Sequence, residues 1–136
     1  MIKPIVTDVQ QLKQPSAPAS RQDLSIGRDL MDTLHAHQDH CIGMAANMIG
    51  ERKRIIIAQL GPLPVVMFNP QITAKARPYQ TKEGCLSLSG KRPTQRFDQI
   101  TVQFFNQNWQ KQSLTLSGLA AEIVQHEVDH CNGIII

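Results

Sequence analysis

The segment QHEVDH, residues 125–130, constrains this chain more than any other stretch. Residues four apart share one face of an α-helix, so His126 and His130 can aim their imidazoles at a single ion. Glu127, turned by roughly 100° from His126, can then act as a base on a water at that ion. Leu119, Ile123, His126 and His130 form one stripe, and Ala120, Val124 and Val128 make much of the remaining surface apolar. The pattern predicts a helix buried nearly all round, with the stripe directed into the core. The competing reading is a pair of packed core histidines with backbone partners and an exposed Glu127.

Only CNGIII follows His130, so a third ligand well downstream, as in the zincin proteases, has no place here. Cys131 sits about 100° around the helix from His130 and cannot share its ion without unwinding. The third ligand must come from upstream. Cys85 in KEGCLSLSG is the best candidate: Gly84 before it allows close approach, and a thiolate binds divalent transition metals strongly. One cysteine and two histidines leave a fourth position open, which is a catalytic arrangement. Cys85 taken alone reads rather as a small buried thiol, and it is the pair of histidines with no downstream ligand that favours the ligand reading.

The chain has 136 residues, which predicts a single domain spanning 1–136 with one core. No apolar run approaches the roughly 18 residues of a membrane span, so no membrane partner is expected. The opening MIKPIVTDVQ lacks the apolar stretch of a secretory signal, and a cytoplasmic location is the expectation. The net charge of +3 comes from scattered side chains, with ERKR at 51–54 the densest group. That group reads as a solvated strand edge and predicts no specific nucleic-acid partner. Three cysteines without an export signal argue for reduced thiols.

Periodicity predicts a first helix from Asp23, as its cap, to His37. The glycines and alanines of CIGMAANMIG predict a loop or strand lining something, because they let another backbone come close. IIIAQ and VVMFNP predict a hairpin ending at Asn69-Pro70, and ITVQFF and SLTL a second pair. The last helix should start at Ser117-Gly118 and stop at Asn132-Gly133. The fold class is α+β, with mixed or antiparallel strands packed around a central C-terminal metal-binding helix.

Three segments in this order resemble the peptide deformylase family: GMAANM for its first motif, EGCLS for its second, and QHEVDH followed by NG for its third. Asn69-Pro70 and Arg96 extend the likeness over most of the chain. The resemblance implies a metal-dependent bacterial hydrolase that removes the formyl group from the initiator methionine of nascent peptides. It implies one divalent ion, natively iron(II), replaceable by nickel, cobalt or zinc, on Cys85, His126 and His130. It also implies Glu127 as the proton-shuttling base and the Leu86 backbone N–H as an oxyanion donor. Cys41 stands where the family has a glycine, and Met48 where it has a glutamine that donates to the oxyanion. A thioether has no hydrogen to donate, so Met48 predicts reduced turnover. The alternative is a catalytically impaired homologue that binds metal and formylated peptides without turnover, and a third reading is hydrolysis of a different amide.

Asn47 carries an amide one residue away, but on an extended segment that offset turns a side chain to the opposite face. The methionine pocket is expected to draw its walls from Ile42, Met44, Leu119 and Ile123, with Gly43 and Gly84 admitting an extended peptide. Glu122 is expected to point outward into solvent. The long C-terminal helix used by some family members to dock on the ribosome is missing from this sequence, so a transient ribosome contact is expected to use another surface.

Overall fold

The computed structural model describes all 136 residues. Five strands form one sheet: β1 (Gly43–Ala45), β2 (Ile55–Leu60), β3 (Leu63–Cys85), β4 (Leu88–Phe105) and β5 (Lys111–Ser117). They lie in chain order and every neighbouring pair is antiparallel. The expected mixed character is confined to one isolated parallel bridge between Ala17 and Lys53. Helices α1 (Val9–Leu12), α2 (Leu24–Ala36) and α3 (Gly118–Cys131) complete the fold. The core is one continuous cluster in which Leu30, Met44, Ile56, Met67, Phe68 and Val102 are wholly buried or nearly so.

The predicted first helix is present as α2, with Asp23 at its N-cap position and His37 at its C-cap, but the Asp23 side chain caps no N–H of α2. Ser20 Oγ accepts the Gln22 N–H at 3.3 Å, and Asp23 Oδ2 accepts the Ser20 N–H at 2.8 Å. Asp23 is therefore the reciprocal partner in a capping box, and a 3-10 turn over Arg21–Asp23 leads into the helix. Asn69-Pro70 does not end a hairpin either. β3 runs through it with a shift of register between Phe68 and Gln71, where Asn69 adopts a positive φ of 53°. A bulge absorbs the proline that a regular ladder could not hold. The Asn69 side chain then binds both backbone groups of Ala19, accepting at 2.7 Å and donating at 3.0 Å, which ties the N-terminal segment to the sheet.

Helix α3 starts and stops where the sequence predicts. From Ala121 to Cys131 it is buried except for partial exposure at Glu122 and Asp129, while Leu119 in its first turn is 62% exposed. The expected inward stripe therefore begins one turn later, because Leu119 lies at the rim of a cavity. Gln125 fastens α3 to β4 as a strand partner would: its amide accepts the Phe97 N–H and donates to the Phe97 carbonyl, both at 2.8 Å. Arg54, from the ERKR group, donates to Asn132 Oδ1 at 2.8 Å and to the Cys131 carbonyl at 3.4 Å. This part of the basic group caps the last turn of α3 instead of facing only solvent.

Gly133 ends the helix with a left-handed φ of 75°, and a Cβ there would lie 2.3 Å from the Lys13 carbonyl oxygen. Gly133→Ala is expected to cost about 2–4 kcal/mol from left-handed strain and overpacking, read as a lower midpoint in urea at unchanged slope.

Candidate metal centre

Two elements bring three ligand atoms together. Cys85 ends β3 at its tight connection to β4, and His126 and His130 come from α3. Their donor atoms all lie within 4.8 Å of one another, and Cys85 Sγ is 3.4 Å from His130 Nε2. His130 is wholly buried and His126 nearly so. The His126 imidazole is held from behind, whereas His130 Nδ1 is buried without a hydrogen-bond partner. His126 Nδ1 pairs with Glu83 Oε1 at 2.8 Å, which leaves Nε2 with its lone pair for an ion.

Glu83 is itself clamped. Arg96 donates to it from Nε at 3.0 and 3.1 Å and from Nη2 at 2.7 Å, while Arg96 Nη1 donates to Asp129 Oδ2 at 2.7 Å. Burial works to raise the Glu83 pKa, but the hydrogen bonds from His126 and Arg96 outweigh it and bring it down to about 2. This buried array links β3, β4 and α3 directly behind the ligands. Arg96→Leu leaves Glu83 without its counter-charge and is expected to cost about 3–5 kcal/mol in folding stability. Metal affinity should fall by about 10–100-fold as His126 loses its fixed orientation. Urea denaturation and competition with a chelator check the two effects; a change below about 1 kcal/mol would show the pair to be dispensable.

The charges around the three ligands suit a cation. Burial works to lower the His126 pKa, yet the Glu127 charge, Cys85 and Glu83 raise it to about 10. Burial, followed by the charge on His126, holds His130 down to about 3. One imidazole thus draws positive charge while the other stays a neutral donor, and a divalent ion replaces the proton that His126 would otherwise hold. Glu127 is 4% exposed, contrary to the exposed alternative, and its Oε1 has no hydrogen-bond partner. Burial lifts its pKa to about 7. A cation on the adjacent ligands would lower that value again.

A cavity of about 260 Å³ opens onto this cluster. Ile42, Gly43, Gly84, Leu86, Leu119 and Ile123 line it, as does Met48. Met44 does not: it is wholly buried and pairs with Ile57 across β1 and β2. Side chains alternate along a strand, so the face that presents Gly43 to the cavity turns Met44 into the core. Gly43 is needed there, since a Cβ would lie 2.8 Å from Ile123 Cγ2 and 2.9 Å from Glu127 Oε2.

Met48 lies in a 3-10 turn, Ala46–Ile49, and is 1% exposed. Its thioether accepts the Ala45 N–H at 3.4 Å. Asn47 faces away, donating from Nδ2 to the His130 carbonyl at 2.9 Å, so it fastens α3 from behind and supplies no donor to the cavity. Glu122, expected outside, lines the cavity together with Glu83, and the neighbouring Glu83 carboxylate raises its pKa.

Glu83, Asp129 and Gln125 escaped the sequence reading, and Arg96 entered it without a role. One signal was present: Glu83 and Cys85 are two apart on a strand and share a face.

The whole-chain comparisons agree with this site. Residues 2–136 match the family model described as polypeptide deformylase. A peptide deformylase of Clostridium beijerinckii is 48% identical over 136 residues, covering 100% of both chains. A peptide deformylase of Aquifex aeolicus is 32% identical over 133 residues, 90% of this chain and 78% of that one. The structure is also similar to a class I type b peptide deformylase from Acinetobacter baumannii in a Met-Ala-Ser-bound crystal structure. Its TM-score is 0.89 at 28% identity, covering 99% of this chain and 97% of that one. The peptide deformylase of Thermotoga maritima superposes with the same TM-score of 0.89 at 25% identity. A full-length match at this level, together with a cysteine and two histidines converging beside a buried glutamate, places the chain in the peptide deformylase family.

Proposed function

We propose that this chain hydrolyses the formyl group from the initiator methionine of newly made peptides, releasing formate and a free amino terminus. The observation that carries the reading is the placement of Glu127. It is a buried carboxyl with an unpartnered oxygen, beside three converging donor atoms and at the wall of a cavity. A purely structural core has no use for such a group, because an unsatisfied buried carboxyl is costly.

In this reading Cys85, His126 and His130 hold one divalent ion, natively iron(II), with nickel, cobalt or zinc able to take its place. When bound there, such an ion would polarise the formyl carbonyl and make the attacking water more acidic. Glu127 accepts the proton of that water and returns it to the departing amine, so one water is consumed and the C–N bond is cleaved. The Leu86 backbone N–H donates to the developing oxyanion. Glu83, set by Arg96, keeps His126 in the tautomer that ligates. Ile42, Leu119 and Ile123 form apolar walls for the methionine side chain, and Gly43 and Gly84 let the peptide backbone approach. The reading further takes the whole chain as one domain acting on nascent chains in the cytoplasm, with a transient ribosome contact.

Formate release from formyl-Met-Ala-Ser by anaerobically purified, iron- or nickel-loaded protein tests this. Metal-dependent release is expected, abolished by a chelator and restored by the metal. Tight metal binding without any formate release would leave the binding-only alternative in its place.

A further inference from the structure

Helix α2 ends in a histidine-rich turn, HAHQDHC, that the proposed chemistry leaves unused. The His37 N–H donates to the Leu34 carbonyl at 3.0 Å and the His40 N–H to the His37 carbonyl at 3.1 Å, folding His40 back beside His37. Their ring centroids are 5.7 Å apart, against 5.0 Å for His126 and His130. His37 Nδ1 pairs with the Thr33 carbonyl at 2.9 Å, and Thr33 is wholly buried, so the ring has a rigid anchor. A histidine held through Nδ1 keeps its Nε2 lone pair free, which is the disposition of a metal ligand. Closing the helix explains a carbonyl contact by His37. It does not explain His40, which is exposed and lines the cavity that Cys41 and Cys85 also line.

We propose that His37 and His40 form a second site for a divalent first-row transition-metal ion beside the cavity that His40 lines, from which the ion passes to Cys85, His126 and His130. The transfer rests on the reading of those three residues as the resident metal site. Two imidazoles at the surface, one of them half-buried, hold such an ion more weakly than a thiolate and two buried imidazoles, so movement inward is downhill. The exposed Asp39 carboxylate in the same turn favours capture of a cation.

The test uses apoprotein and Co2+, with total binding read by equilibrium dialysis and occupancy of Cys85 read from the cobalt–thiolate absorption band. The wild type is expected to bind two ions, and a His37→Gln/His40→Gln variant one, with the thiolate band retained. In stopped flow that band should rise at least about tenfold more slowly in the variant and reach the same final intensity. His40→Gln alone, at an exposed turn position, guards against a folding defect and should show the same loss of the second ion. One ion in the wild type, or two in both variants, overturns the site. Equal rates with the expected stoichiometry overturn the transfer. A wild type that never develops the thiolate band refutes the Cys85 metal centre, and the transfer with it, while dialysis still reads the second site.

Discussion

Met48→Gln is expected to raise kcat by about 100–1000-fold, the effect of restoring one preorganised donor to a developing oxyanion. The structure explains why the exchange should be tolerated. Methionine and glutamine have similar length and volume, and the Met48 side chain already accepts the Ala45 N–H at 3.4 Å. A glutamine carbonyl can take over that acceptor role more strongly, leaving its NH2 to face the cavity that Met48 lines. Asn47 cannot compensate in the wild type, because its amide is spent on the His130 carbonyl. The measurement is initial formate release by metal-loaded wild type and variant under identical conditions. Equal rates would mean that Leu86 and the bound ion stabilise the oxyanion sufficiently without a side-chain amide.

Glu127→Gln is expected to lower kcat by about 100–10,000-fold while leaving the fold and the metal ligands in place. A carboxamide has nearly the same shape but cannot accept and return a proton at neutral pH. Folding should not suffer, since burial already disfavours the Glu127 carboxylate, raising its pKa to about 7. The neutral amide removes that desolvation cost, so the thermal midpoint of the metal-free variant should not fall below that of the wild type. Metal content after dialysis, measured beside kcat, separates lost proton transfer from lost metal. Full activity in a metal-replete variant would remove Glu127 from the mechanism and return attention to the binding-only alternative.

The helix that carries His126 and His130 on one face, and Cys85 as the residue that joins them, were legible before any coordinates, and the reason is local. Helical periodicity alone places His126 and His130 on one face, and the short remainder after His130 sends the search for a third ligand upstream. The cap signals at Ser117-Gly118 and Asn132-Gly133 likewise act within one turn of chain. Much of β3 and β4 was missed between residues 73 and 99, where the strands form a largely polar, exposed hairpin without the alternation that marks a half-buried strand. The hairpin is recognisable only once its two long strands are paired.

Around the site, the same division holds. The alternation of a strand could have separated Gly43 from Met44, had the three-residue strand β1 been distinguishable from a loop. Nothing local distinguishes Glu83, Arg96 and Asp129, three charged residues spread over 47 positions, from solvated surface. Pairing of β3 with β4 sets Glu83 opposite Arg92 and Arg96 opposite Tyr79, the long Arg96 side chain reaches along the sheet to Glu83, and packing of α3 adds Asp129 and His126. Glu122 shows the same limit, since helix phase fixes its direction from the axis but the neighbouring strands decide whether it meets water or Glu83. Chemistry set by short-range helical geometry is therefore readable from the order of residues. The charged frame that orients it depends on contacts between distant segments, whose partners exist only after the sheet and helix have closed on one another.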